Sequence, residues 1–206
     1  MSKLVFGVGT NDLDYKVRVM EYVTEDGGER ILKPVFVCKY YEVWKDMLKR
    51  CYSNKYLESN PSYNGTSVCN DWLYATVFRK WMDEQDWQGK SLDKDIIVPK
   101  SKLYSPDTCG FVLQATNKFV IARDASRGRY PIGVTLCKRT GKYQASCGNP
   151  FSGKREYLGH YSTPKEAHEA WRKRKHDLAQ LVAAKESDMR VVEALKKRYS
   201  LDEWYE

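Results

Sequence analysis

Apolar and polar positions change their spacing several times along the chain, and each change marks a different kind of element. Residues 1–38 carry β-formers at Val17, Val19 and through 31–38. The turn signal Glu25-Asp26-Gly27-Gly28-Glu29 splits them, which predicts an N-terminal hairpin. From Tyr40 the spacing turns helical. Tyr40, Trp44, Met47, Leu48 and Cys51 predict one amphipathic helix; Trp72, Leu73, Val77, Phe78, Trp81 and Met82 predict a second, with a polar loop over 59–65 between them. Tryptophans on such stripes read as core.

Residues 91–123 predict a compact ββα unit: a strand over 92–98, a polar turn over 100–107, a strand over 109–113 and a helix over 114–123. Three short alternating strands follow at 132–137, 142–147 and 155–161, joined by Thr140-Gly141 and by Asn149-Pro150-Phe151-Ser152-Gly153. Thr163-Pro164-Lys165-Glu166 then spells a capping box with proline at the first helical position. Ala167, Ala170, Trp171, Leu178, Leu181 and Val182 give that helix an apolar stripe able to cover one face of the sheet. A last helix is predicted over 189–199. The fold class is α+β: an N-terminal hairpin, helices and a ββα unit, then a three-stranded antiparallel sheet packed on one helix. The segments run 1–38, 39–126, 127–185 and 186–206.

Composition narrows the function. A chain of 206 residues that is 42% hydrophobic and 13% aromatic builds a core, which excludes a disordered polyelectrolyte. The net charge of +8 is unevenly placed: residues 127–199 hold 17 Lys+Arg against 7 Asp+Glu, and the rest hold 18 against 20. The basic excess therefore belongs to the sheet-and-helix domain and favours a polyanionic partner. No apolar run reaches the ~18 residues of a membrane span, and the N-terminus is too short and broken to be a signal peptide. A cytoplasmic location in a bacterial host, at nucleoid or phage DNA, is expected, with no membrane partner and with the six cysteines reduced. The cysteines form no C-x-x-C pair, and His160, His168 and His176 lack a closely spaced third ligand, so neither group suggests zinc. The run Arg172-Lys173-Arg174-Lys175-His176 reads as the solvated face of its helix, within reach of phosphates.

Asp93 and Asp95 lie two apart. On a regular strand both carboxylates point to one face, as two oxygen ligands for a hard cation would; a solvated strand face has the same pattern. Around them, Trp44-x-x-Met47-Leu48-x-Arg50-Cys51-Tyr52, Val68-Cys69-x-x-Trp72, Phe78-x-x-Trp81, Leu92-Asp93-Lys94-Asp95 and Tyr104-Ser105-Pro106-x-x-Cys109 resemble the phage-type HNH homing endonucleases over roughly residues 40–123. The resemblance implies a ββα metal finger in which an acidic residue and a helix residue hold one divalent cation, and a histidine activates water. By position, Asp93 matches the acid, Lys94 the general-base histidine, Thr108 the asparagine that orients that base, and Asn117 the helix ligand. The implied catalytic set is Asp93, Lys94 and Asn117, with Asp93 and Asn117 holding Mg²⁺ weakly. Two of the four positions depart from the pattern. A lysine at its ordinary pKa of ~10.4 is charged at neutral pH and a poor base. Lys94 is then a retuned base, a phosphate clamp, or a relic in a finger that no longer cuts.

The order Gly133-Val134, Gly141-Lys142-Tyr143-x-Ala145, Tyr157-Leu158-Gly159-x-Tyr161-x-Thr163-x-x-Glu166-Ala167-x-x-Ala170 resembles the Apetala-type DNA-binding domain of ethylene-response factors, over about residues 129–184. The resemblance implies a sheet lying in the major groove of double-stranded DNA. Thr135, Gln144, Ser146, Arg155 and Tyr157 would face bases, and Lys138, Arg139, Lys142 and Lys154 would lie near the backbone. An ordinary charged antiparallel sheet is the plain alternative. Together the two resemblances imply a sequence-specific DNA-binding protein of a phage or mobile element, derived from an HNH endonuclease. It either retains Mg²⁺-dependent nicking or has become a cleavage-dead repressor.

Overall fold

The computed structural model describes residues 4–24, 28–120 and 129–200. In chain order its elements are β1 (Arg18–Thr24), β2 (Arg30–Val37), α1 (Lys39–Tyr52), α2 (Asn54–Ser59), β3 (Ser67–Val68), α3 (Ala75–Asp83), β4 (Lys90–Asp93), β5 (Leu103–Tyr104), β6 (Gly110–Leu113), α4 (Gln114–Val120), β7 (Val134–Cys137), β8 (Lys142–Gly148), β9 (Arg155–Tyr161), α5 (Pro164–Ala183) and α6 (Met189–Arg198). The protein is mixed α+β, with six α-helices among the described residues and the antiparallel sheet β7-β8-β9 packed on α5. Residues 25–27 of the expected first turn and 121–123 of the expected ββα helix lie outside the described residues.

Two compact units divide the chain: residues 1–87 with 99–109, and residues 88–98 with 110–206. In the first, β1 and β2 pair as the expected antiparallel hairpin. The stripe of α1 buries Trp44, Met47, Leu48 and Cys51, and the Trp44 indole donates to the Trp72 carbonyl at 2.7 Å. Trp72, Phe78 and Trp81 cluster at centroid separations of 4.4 to 5.7 Å; Trp44 and Trp72 are core as expected, and Trp81 is half-buried. Helix α2 was not expected. It buries no residue, so it carries no apolar stripe for periodicity to detect. Strands β3 and β5 pair in parallel.

In the second unit, β4 and β6 pair antiparallel from Lys90↔Leu113 to Asp93↔Gly110, and α4 follows directly. This ββα unit shares one core with the helices after the sheet. Ile96, Val112 and Phe119 cluster with Trp171, Leu178 and Val182 of α5 and with Val191, Val192 and Leu195 of α6. Polar ties add to it: Lys90 Nζ donates to Ser187 Oγ at 2.7 Å, Leu113 N to Glu186 Oε1 at 3.2 Å, and Arg198 to the Asp95 carbonyl. The Thr116 hydroxyl also donates to Glu186, which is 8% exposed.

The capping box at Thr163 forms in full. Its side chain accepts from Glu166 N, and Glu166 accepts from Thr163 N. Leu181, expected on the apolar stripe, is 54% exposed. The buried positions Leu178, Ala179, Val182 and Ala183 form a narrow i, i+1, i+4, i+5 stripe, and position 181 turns away from it.

Candidate nucleic-acid interface and ββα site

Strand pairing sorts the sheet's side chains. Val134 pairs with Ala145 and clusters with Ala167 of α5, so these residues mark the covered face. One step along, Thr135 pairs with Gln144 and Gln144 with His160, a row across all three strands on the opposite, open face. Ser146 pairs with Tyr157 and Gly148 with Arg155 on that same face. Glu156, between Arg155 and Tyr157, points to the covered side. There it takes two hydrogen bonds from the Arg174 guanidinium at 2.6 and 3.0 Å, and a third from Asn149 at 2.7 Å. That anchor holds β9 and the β8–β9 loop against α5, and the guanidinium's hydrogen bonds hold the Glu156 carboxyl down at about 2.

Thr135, Arg155 and Tyr157 are exposed, Tyr157 by 60%, and Gln144 is half-buried. Lys138 and Arg139 stand exposed in the β7–β8 turn, Lys142 at the start of β8, and Lys154 in the β8–β9 loop. Ser146 differs. Its side chain is buried, although the alternation places it on the open face, so in this structure it offers no surface to a ligand.

Sequence reasoning missed His160. The register shifts between Ala145 and Ser146, opposite Gly159, which adopts φ 124°. Such a bulge adds one residue to one strand and resets its alternation. Tyr157 and His160, three apart, therefore share the open face, and the Tyr157 hydroxyl lies 2.8 Å from His160 Nδ1. The available signal was a glycine inside a predicted strand.

The run 172–176 is only partly the solvated face expected. Arg174 is engaged with Glu156, Lys175 Nζ donates to the Phe119 carbonyl at 2.7 Å, and His176 Nδ1 lies 2.7 Å from the Tyr199 carbonyl. Burial pulls Lys175 down to about 8. Three of the five side chains thus serve internal packing, and Lys173 remains exposed.

In the ββα unit the strand stops at Asp93, short of the expected span to 98. Asp93 Oδ1 accepts N–H bonds from Asp95 and Ile96, both at 2.8 Å, and these turn the chain. Asp93 and Asp95 therefore do not stand together on one strand face. Asp95 instead takes the Lys94 ammonium on both oxygens at 2.8 Å, with the Lys94 side chain only 8% exposed. Burial raises the Asp93 carboxyl above its ordinary range, and the two amide bonds oppose that rise. Asn117 lies on α4, half-buried. Thr108, in the other unit, closes its own turn: its hydroxyl donates to the Leu103 carbonyl at 2.7 Å and accepts from Ser105 N at 3.1 Å.

Among the described residues no group of three His, Cys, Asp or Glu side chains could share a metal ion, and no helix is long and apolar enough to cross a membrane. No known protein family matches the chain, and neither does any curated protein or solved structure.

Proposed function

We propose that the protein binds double-stranded DNA in a sequence-specific way, with the open face of β7-β8-β9 in the major groove and the ββα unit acting as structural support. One observation carries this reading: hydrogen-bonding side chains at Thr135, Gln144, Arg155, Tyr157 and His160 share a helix-backed face bordered by Lys138, Arg139, Lys142 and Lys154. A β-ribbon of this kind enters the major groove, where each base pair shows a distinct donor and acceptor pattern, while lysines and arginines neutralise phosphates.

The geometry around Lys94 favours the non-cleaving form of the reading, a repressor or other regulator that occludes its site. An ammonium buried and held by both oxygens of Asp95 is in no position to take a proton from water. The nicking form rests on donor chemistry: the Asp93 carboxyl ends β4 and is engaged by its own chain through Oδ1. That carboxylate and the Asn117 amide oxygen would be the two donors, of the hard type that Mg²⁺ takes while keeping most of its waters, and the ion would there polarise a scissile phosphate.

Selection from a random duplex pool, followed by incubation of the winning supercoiled DNA with Mg²⁺ or Mn²⁺, tests both. The expected result is an enriched duplex motif and intact plasmid. Failure to enrich any motif refutes DNA reading. Nicking by wild type that disappears in Asp93→Ala establishes the second form.

A further inference from the structure

We propose that Tyr157 and His160 act as one coupled unit that reads two neighbouring base pairs, each residue setting the hydrogen-bonding sense of the other. The inference rests on the major-groove reading above. The bulge opposite Gly159 brings the pair together on the open face, 2.8 Å between hydroxyl and Nδ1, with the rings edge to face at 5.5 Å. Both side chains are exposed. A hydrogen bond that water can replace adds little to folding, so its main effect here is on what the pair presents outward.

A neutral imidazole has one N–H and one bare nitrogen. If Tyr157 donates to Nδ1, then Nε2–H is the outward donor and the phenol oxygen the outward acceptor. If Nδ1–H donates to the phenol oxygen, the phenol O–H becomes the outward donor and Nε2 the outward acceptor. In both tautomers the pair shows one donor and one acceptor, and a base that fixes one fixes the other. The two outward atoms are separated by an imidazole ring and a hydrogen bond, wider than the donor–acceptor spacing on a single base, so they reach two bases, which we assign to adjacent base pairs.

The test is selection with the full chain at pH 8, comparing wild type, Tyr157→Phe, His160→Ala, His160→Asn and the Tyr157→Phe/His160→Ala double variant. Tyr157→Phe and His160→Ala should each relax preference at the same two adjacent positions of the motif, with a loss of roughly tenfold for the preferred step. The double variant should lose no more than the larger single loss. His160→Asn places an amide group where Nδ1 was, and should keep the preference that depends on Tyr157 while losing the position read by Nε2. Losses at unrelated positions, additive losses in the double variant, or a uniform weakening across all sequences would each overturn the coupled unit while leaving DNA reading intact. A wild type that enriches no motif overturns both. Thermal unfolding of the variants should match wild type, since both groups are exposed; a shared drop in melting temperature would mean the pair is structural.

Discussion

Gly133 stands in the turn just before β7, at a point where the backbone and α5 come together, and Gly133→Ala should be among the most damaging single-methyl changes around the sheet. Its φ is 83°, a left-handed conformation that costs an L side chain about 1–2 kcal/mol. A Cβ built there would also overlap the Cβ and indole of Trp171, which is 6% exposed. Trp171 has little room to retreat, because its ring stacks on His168 and His168 Nδ1 is engaged with the Ile132 carbonyl at 2.9 Å. Overpacking of this kind costs about 1–3 kcal/mol. The expected total is about 2–5 kcal/mol, a large share of the ~5–15 kcal/mol that holds a domain together. Hydrogen exchange in the full chain reads the loss locally, at the amides of β8 and α5, including the Ser146 amide that donates to Gly133 O at 2.9 Å. In a Trp171→Ala background, which removes the indole and keeps only the Cβ, the penalty for Gly133→Ala should fall toward the backbone part, about 1–2 kcal/mol. An equal penalty in both backgrounds would show that Trp171 is not what demands the glycine. A penalty under ~0.5 kcal/mol would refute the left-handed backbone itself.

Burial penalises charged Lys175, so the cost is complete below pH 8 and is relieved as pH rises toward the ordinary lysine value of 10.5. Wild-type stability relative to Lys175→Met should therefore rise through that window, by at most about 3 kcal/mol, in paired denaturant titrations at pH 7 and 10.5; a constant difference would show that the amine is not desolvated. Thr163→Ala removes the capping box and should cost about 1 kcal/mol, read in the exchange of the first-turn amides of α5. Arg155→Ala should lower affinity for the selected motif by about 1–3 kcal/mol and spare random duplex, whereas Lys142→Ala should weaken both alike and reduce the salt slope by about one; identical behaviour of the two variants would erase the distinction between base and phosphate contacts.

The three strands, the capping box and α5 were legible in the chain because turn residues and caps act locally: Thr140-Gly141 and Thr163-x-x-Glu166 do in the fold what their spacing announces. The rest depended on partners distant in sequence. Arg174 reads as a surface charge until Glu156 is found across the sheet, and Lys175 until the Phe119 carbonyl is found at the end of α4. Asp93 ends its strand because its own side chain captures two following amides, a competition with the ladder that apolar spacing does not register. His160 joined the open face through a one-residue bulge, the smallest change that inverts a strand's alternation.

The core that α5 and α6 share with Val112 and Phe119 bears on how such a chain can change over generations. A hydrophobic interior common to two segments makes each a condition of the other's folding, so natural selection on the sheet alone would conserve β4, β6 and α4. Drift that erases chemistry at Asp93 and Lys94 must still keep the turn that Asp93 holds through two amides and the buried Lys94–Asp95 pair. Persistence of that scaffold is then a record of shared folding, and an exchange of sheets between lineages would succeed only when the scaffold travels with them.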